Sequence, residues 1–395
     1  AGYASVYGDA NPRPAGAEDE EIFYWFVGRT GADYKTQPTI LWTNGGPGST
    51  SFWGFFTENG PYVVEGTKDE PVLKPRPHAW NDFANYMILE HPLGVTFSYE
   101  SSEEHLPRNA AHGNRLTYQA LLNFLAKHPE IPLNPLILAG ESYAGTYLPL
   151  LARAISDGNH ICSQYVNLQA MVLGDAWVNP YVQMATDTQY AYSHGLISAE
   201  QKAMFDAWPR EKLHLVAEAI QNISGAYMAN IAHLGDPPIE PVMDYLSRDD
   251  VRRAIHAKHG PRPQSSSHAV SLRYASTLYD SYQDLIQSLL DDDLRIMIFS
   301  GLNDAKDCNF LGTGEWLRLL TGDVAESFHR AEPQRWMDAA TRGVLGYLQE
   351  SALGQLSWTR VLNAGHLAVG DQPLLIDLIL NRTPPGRHLA PATLL

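Results

Sequence analysis

Cysteine is nearly absent: Cys162 and Cys308 are the only two among 395 residues. That excludes a scaffold stapled by several disulfides and a zinc site built on CxxC pairs. One bridge between the two is possible, and nothing in the sequence calls for it. Long apolar runs are missing as well. Mean hydropathy is −0.25, and no stretch approaches the ~18 apolar residues of a membrane-spanning helix. Runs of lysine and arginine are missing too. With 28 basic against 44 acidic residues the net charge is −16, so no basic face exists for a nucleic acid. Charged residues make up 18%, below the roughly 25% of an average globular chain. What is present is core material: 44% hydrophobic residues, with 20 tyrosines, 12 phenylalanines and 9 tryptophans, a balance that excludes disorder.

Repeats with a 20–50-residue period and low-complexity tracts are also lacking. At about 150 residues per domain the length suggests two or three domains, although α/β folds of this size often form one core with an insertion. The chain opens on Ala1 without a visible signal peptide. The expectation is that one was removed, for a secreted, periplasmic or acidic compartment. Two glycosylation sequons, Asn222-Ile223-Ser224 and Asn381-Arg382-Thr383, support this weakly, since about two arise by chance in such a length.

Short apolar runs without alternation punctuate the N-terminal third: Ile22 to Val27, Thr39 to Trp42 and Tyr86 to Leu89. They read as strands buried on both faces. Ala110 to Lys127 then has helical spacing, followed by a strand at Pro135 to Ala139, a helix at Tyr147 to Ile155 and a strand at Val166 to Gly174. This rhythm predicts an α/β fold with a mostly parallel, doubly wound sheet. From about Pro180 the rhythm changes. Residues 199–220, 239–256 and 270–290 read as amphipathic helices separated by Pro- and Ser-rich loops. The sheet resumes at Arg295 to Ser300, with another strand at Trp358 to Leu362 and a last helix at Leu374 to Leu380. The expected division is a core of 1–180 and 294–395 with a helical cap insertion at 181–293.

Gly140-Glu141-Ser142-Tyr143-Ala144-Gly145 falls between a predicted strand and a predicted helix. GxSxG in that position is a nucleophile elbow, in which glycines permit a sharp turn and the serine hydroxyl projects above the sheet edge. GxSxG alone is a weak sign, because ordinary glycine-rich turns carry it. A base and an orienting acid must follow in the order Ser, Asp, His. Asp304 lies just past the strand at 295–300 and His366 just past that at 358–362, where open α/β sheets place their sites. Trp42-Thr43-Asn44-Gly45-Gly46-Pro47-Gly48 exposes backbone N–H groups, as an oxyanion hole requires. Gly46 and Tyr143 are the expected donors. Two acids also stand nearby, Glu141 before the serine and Glu58 downstream of the Gly-rich loop. Placed together they would share a proton, because adjacent buried anions cannot both ionise. Such a pair suits recognition of a free peptide C-terminus. No metal or cofactor is called for.

These segments resemble the serine carboxypeptidases, acid exopeptidases of α/β-hydrolase fold. The resemblance runs nearly end to end. Phe23-Tyr24-Trp25-Phe26 is similar to the family's opening strand, Asn44 to Gly48 with Glu58-Asn59-Gly60-Pro61 to its Gly-rich loop and following Glu, and Leu89 to Tyr99 to its Pro-x-Gly-Val segment. Gly140 to Gly145 matches the nucleophile motif residue for residue. Tyr245 to Arg252 resembles a cap helix, and Ala364-Gly365-His366 with Asp371-Gln372-Pro373 the histidine motif.

The resemblance implies Ser142 as nucleophile, His366 as base and Asp304 as its acid, with Gly46 and Tyr143 in the oxyanion hole. Asn44, Gly45, Glu58 and Glu141 would bind the terminal carboxylate of a peptide or protein C-terminus. It implies release of the C-terminal amino acid through an acyl-enzyme, favoured at acidic pH. Trp53, Thr57 and Leu367 would line the leaving-residue pocket, apolar in the family, so an uncharged or hydrophobic leaving residue is expected. Three departures stand out. Ser49 and Thr50 replace a family cysteine, and Leu367-Ala368-Val369 replaces Met-Val-Pro. The acid motif carries one extra residue, which brings Asp307 near; distance from the strand end favours Asp304. Tyr190 and Tyr192 stand either for an acyl-side pocket lining or for core packing, and Cys308 reads as a buried small hydrophobe. Acyl transfer to an alcohol, or a non-catalytic protective role, are the alternatives.

Overall fold

The apolar runs form strands whose side chains alternate between two cores, which is why they carry no polar face. The computed structural model describes residues 1–382 apart from 16–18, 67–69, 132–133, 162–164, 259–261 and 307. Among these residues the strands are β1 (Gly2–Ser5), β2 (Glu21–Val27), β3 (Thr39–Thr43), β4 (Tyr62–Gly66), β5 (Pro71–Pro75), β6 (Asn85–Leu89), β7 (Leu136–Glu141), β8 (Leu168–Gly174), β9 (Arg295–Gly301), β10 (Gln334–Met337), β11 (Val344–Glu350) and β12 (Leu356–Val361). Ten of them build one sheet in the order β1-β2-β6-β3-β7-β8-β9-β12-β11-β10, and β4 and β5 form a separate ribbon.

The central run from β6 to β12 is parallel throughout. Both margins are antiparallel. Leu41, Leu138, Leu173 and Ile298 point into a core covered by the helices α1 (Ala110–Lys127) and α2 (Ala144–Ile161). Their strand neighbours Ile40, Trp42, Ile137, Ala139, Val172 and Phe299 point the other way, into a core with Phe52, Phe55, Phe56, Ile376 and Ile379. Fully buried strands of this kind carry crossover helices on both faces. The architecture is that of the expected α/β-hydrolase fold.

Between β8 and β9 the described residues are largely helical, but the three long helices read from periodicity are each divided. Ala199–Asp206 starts on a Ser198–Gln201 capping box and stops before Pro209. Val216–Ser224 follows a 3₁₀ turn and ends on Gly225 in the left-handed conformation, φ 68°. Glu240–Ser247 and Asp249–Ala254 meet at Arg248, whose extended backbone breaks the helix. His268–Tyr274 and Gln283–Asp291 are separate in the same way. Periodicity reports the buried face of a helix and is blind to a break that keeps the face in phase. The segment is fastened to the Gly-rich loop: Thr50 donates to Ser265 O (3.1 Å), Ser267 N to Gly48 O (2.8 Å) and the Ser271 hydroxyl to Pro47 O (2.7 Å).

Close approach of neighbouring parallel strands fixes one glycine of the elbow motif. A Cβ on Gly140 would lie 2.3 Å from Thr43 O on β3, a backbone atom that cannot yield without parting the strands. Gly140→Ala is expected to cost about 1–3 kcal/mol of stability, read as a lower urea midpoint with an unchanged m-value.

Candidate active site

Three strand ends and one loop converge on Ser142. It follows β7 directly, and its φ of 61° puts a non-glycine residue in the left-handed region. The strain is held by a complete set of backbone bonds. Ser142 N donates to Gly174 O (3.0 Å) and Asp175 O (3.1 Å), while its carbonyl accepts from Gly145 N (2.9 Å) and Trp177 N (2.8 Å). Glycine is required around it. A Cβ on Gly145 would lie 2.7 Å from Trp177 O, and one on Gly45 2.3 Å from Tyr143 N. The Gly-rich loop thus rests directly on the elbow.

His366 follows β12 and lies in the same cleft as Ser142, Gly46 and Tyr143. Its Nδ1 is 2.8 Å from Asp304 Oδ2. Asp304 is fully buried, and its other oxygen accepts from Lys306 N at 2.9 Å. The two loops are sewn together: Asn303 N donates to Ala364 O (2.8 Å), and a Cβ on Gly301 would lie 2.1 Å from Gly365 O. Asp307, the competing acid of the sequence reading, lies outside the described residues. The amides of Gly46 and Tyr143 donate to no acceptor among the described residues, so both are available to a ligand in the cleft.

Beside the serine lies a buried polar knot. Asn44, Glu58 and Glu141 are 3%, 2% and 2% exposed. Asn44 Nδ2 donates to Glu141 Oε1 (2.8 Å) and Glu58 Oε1 (3.2 Å). The amide cannot be turned over, because its oxygen accepts from Trp42 Nε1 and Gly54 N, both at 2.9 Å. The two remaining carboxyl oxygens, Oε2 of each glutamate, are buried and accept from no donor. Such oxygens call for a donor, which a protonated carboxyl would supply. Burial pushes the Glu58 carboxyl up to about 7, against the pull of Glu141, Asn44, Arg76 and His366. Burial and the charge of Glu58 push Glu141 well above the usual range. Arg76 donates to Gly60 O (3.1 Å) and Phe56 O (2.5 Å), holding the Glu58 segment.

A small cleft beside Glu58 brings Thr57 and Leu367 together, as expected. Trp53 is not among its lining residues; it packs, half-buried, against the core containing Phe52 and Phe55. This cleft is polar on one side, where Asn230, His233 and Asp236 line it. Tyr190 is buried, donates to Leu302 O at 2.6 Å and stacks on His194 at 4.0 Å. Tyr192 is exposed, and neither tyrosine lines the serine cleft. Cys308 packs among Tyr143, Trp177 and Met184; Cys162 lies outside the described residues.

Sequence reasoning missed Glu90 and Asp175. Glu90 accepts from Thr50 Oγ1 (2.6 Å) and Ser51 N (2.8 Å), anchoring the Gly-rich loop to the end of β6. Asp175 follows β8 and, like Asp304 and His366, stands at the carboxyl end of a strand. That placement was the sign available for it. Among the described residues no group of three or more His, Cys, Asp or Glu is arranged to hold a metal, and no helix is long and apolar enough to cross a membrane.

Comparison with known proteins identifies the family. A family model described as serine carboxypeptidase matches residues 13–232 and 234–382. A venom serine carboxypeptidase of Apis mellifera is 30% identical, with 92% of this chain and 81% of that protein aligned. A serine carboxypeptidase family member of Dictyostelium discoideum is 26% identical over 89% of this chain and 88% of its own. The crystal structure of a prohormone-processing carboxypeptidase from Saccharomyces cerevisiae superposes with a TM-score of 0.82 at 20% identity, covering 96% of this chain and 90% of that one.

The raised carboxyls make stability depend on pH. A carboxyl raised from 4.5 to about 7 contributes stability that is fully present below pH 4.5 and lost as pH climbs through 7. Wild-type stability should therefore fall between pH 5 and pH 8, by about 1–3 kcal/mol at ~1.4 kcal/mol per pKa unit. Glu58→Gln should flatten that slope in urea titrations run at both pH values.

Proposed function

The chain belongs to the serine carboxypeptidase family of hydrolases, and from that premise we propose that it removes the C-terminal amino acid from peptides through a Ser142–His366–Asp304 triad. The observation that carries this reading is the Asn44–Glu58–Glu141 knot beside a strained serine. A hydrolase of esters or of internal peptide bonds has no need of a buried, proton-sharing acid pair. A free carboxylate does, since it is an acceptor and the pair holds the proton it lacks.

A substrate's terminal carboxylate is taken by Asn44, Glu58, Glu141 and the Gly45 N–H. His366 accepts the Ser142 proton as Oγ attacks the last peptide carbonyl, and Asp304, at 2.8 Å, steadies the resulting imidazolium. The oxyanion lies on the N–H groups of Gly46 and Tyr143. His366 then delivers its proton to the leaving amine, and water cleaves the acyl-enzyme by the same route in reverse. Trp177, Met184 and Leu278 line the cleft on the acyl side, which favours an apolar penultimate residue. Thr57, Leu367 and Asp236 border the leaving residue. The helical segment at 181–293 is the cap over these subsites.

The acid pair also sets the pH preference. Below the raised values the pair is neutral or shares one proton; above them both carboxylates ionise and repel a third. Such an enzyme works in an acidic or extracellular setting, in keeping with the venom origin of one relative. Acyl transfer to an alcohol gives no role to the acid pair, and a non-catalytic role gives none to the His366–Asp304 bond.

The test is hydrolysis of an N-blocked Phe-Phe dipeptide, as free acid and as C-terminal amide, from pH 4 to 8. Free-acid cleavage should be strongest at low pH with KM rising toward pH 8, while the amide shows a smaller rise. Asp304→Asn should lower kcat by about 10³–10⁴-fold with KM little changed, and a fluorophosphonate should label Ser142. Absence of labelling would favour the non-catalytic alternative.

A further inference from the structure

Asp175 touches both halves of the proposed machinery. Its carbonyl accepts from Ser142 N (3.1 Å), and its own N–H donates to Phe299 O on β9 (2.9 Å). Its Oδ1 accepts from Gly301 N at 2.9 Å. Gly301 opens the turn that delivers Asp304, whose N–H donates back to Gly301 O at 3.3 Å. One residue thus spans the distance from the nucleophile elbow to the acid loop. Its φ of 37° is left-handed, a conformation that a non-glycine residue holds only where its surroundings enforce it.

The rest of the side chain has no conventional explanation. Asp175 is 0% exposed, and its Oδ2 has no hydrogen-bond partner. The titratable groups acting on it most strongly are the carboxyls of Asp304, Asp371 and Glu58, and Glu141 and the phenol of Tyr190 feel its charge in turn. The His366 ring lies against Asp304. An ionised Asp175 would add a second buried anion to this group of acids. Burial and the Asp304 charge accordingly push its carboxyl well above the ordinary range, with the Gly301 N–H pulling the other way.

Resting on the triad reading above, we propose that Asp175 is a positioning residue that locks the Ser142 elbow to the Asp304 loop, and that it does so as an uncharged group. What it supplies is a carbonyl-type acceptor for Gly301 N and a fixed backbone. Asp304 is then left to partner His366. Removing the acceptor frees the Gly301 N–H in a buried place and lets the acid loop shift relative to the serine, a displacement that lowers kcat without touching the substrate.

The experiment compares wild type, Asp175→Asn and Asp175→Ala, with near-UV circular dichroism to confirm folding. The readouts are fluorophosphonate labelling rate at Ser142 and kcat and KM on the N-blocked dipeptide from pH 4 to 8. Asp175→Asn keeps a neutral acceptor and should stay within about threefold of wild-type kcat at every pH, whereas Asp175→Ala should lose about tenfold or more in kcat and labelling rate at unchanged KM. An asparagine variant that folds yet is as impaired as the alanine variant overturns the proposal, because charge would then be required. So does an alanine variant with wild-type kcat, or one whose loss lies in KM. If Asp175→Ala does not fold, the asparagine variant alone decides by the same threefold limit. Failure of wild-type Ser142 to label overturns the triad reading and this proposal with it; normal wild-type labelling confines any failure to Asp175.

Discussion

One side-chain amide holds the site together. Asn44 Nδ2 bonds two buried glutamates that would otherwise repel, and its oxygen is locked by Trp42 and Gly54. The partners come from three parts of the chain. Trp42 belongs to β3, Gly54 to the turn after the Gly-rich loop, Glu58 to the end of that turn, and Glu141 to β7. Because Glu141 adjoins Ser142 in sequence, the acid pair and the nucleophile are placed by the same strand. A shift of β7 against β3 would break the amide bonds and move the serine together. The sheet in this way fixes the acid pair and the serine relative to each other.

The strand ends extend this logic to the rest of the chemistry. Ser142, Asp175, Asp304 and His366 follow β7, β8, β9 and β12, neighbours in the parallel centre of the sheet. Parallel strands all present their carboxyl ends on one edge, so four reactive or buried polar residues meet without any of them being close in sequence. The cost is a cluster of acids in a dry place. Burial pushes Glu58, Glu141, Glu90 and Asp175 all upward, with Arg76 and His366 pulling Glu58 back. Asp304 has the His366 imidazole against it.

Much of this was legible in the sequence because it is local. Ala110 to Lys127 forms the helix its spacing predicts, and the runs at 39–42 and 86–89 are strands as read. The elbow could be seen because glycine spacing reports backbone geometry directly. The antiparallel margins β1, β10 and β11 were not seen, since Gln334–Met337 and Gly2–Ser5 are too short for a pattern. The helix breaks at Pro209 and Arg248 went unread because the apolar face continues through them. Asp175 was missed for a different reason. Its place at the carboxyl end of a strand was readable, but what it holds shows only in the hydrogen bond to Gly301 N.

The central claim is that Glu58 and Glu141 share a proton well above the ordinary carboxylate range. It is tested most directly by following carboxyl protonation itself, with infrared difference spectra of the carboxylic C=O stretch recorded from pH 3 to 9. Wild type should retain at pH 6 a protonated-carboxyl band that disappears in both Glu58→Gln and Glu141→Gln. A pair fully ionised by pH 5, with no band lost in either variant, would contradict the account.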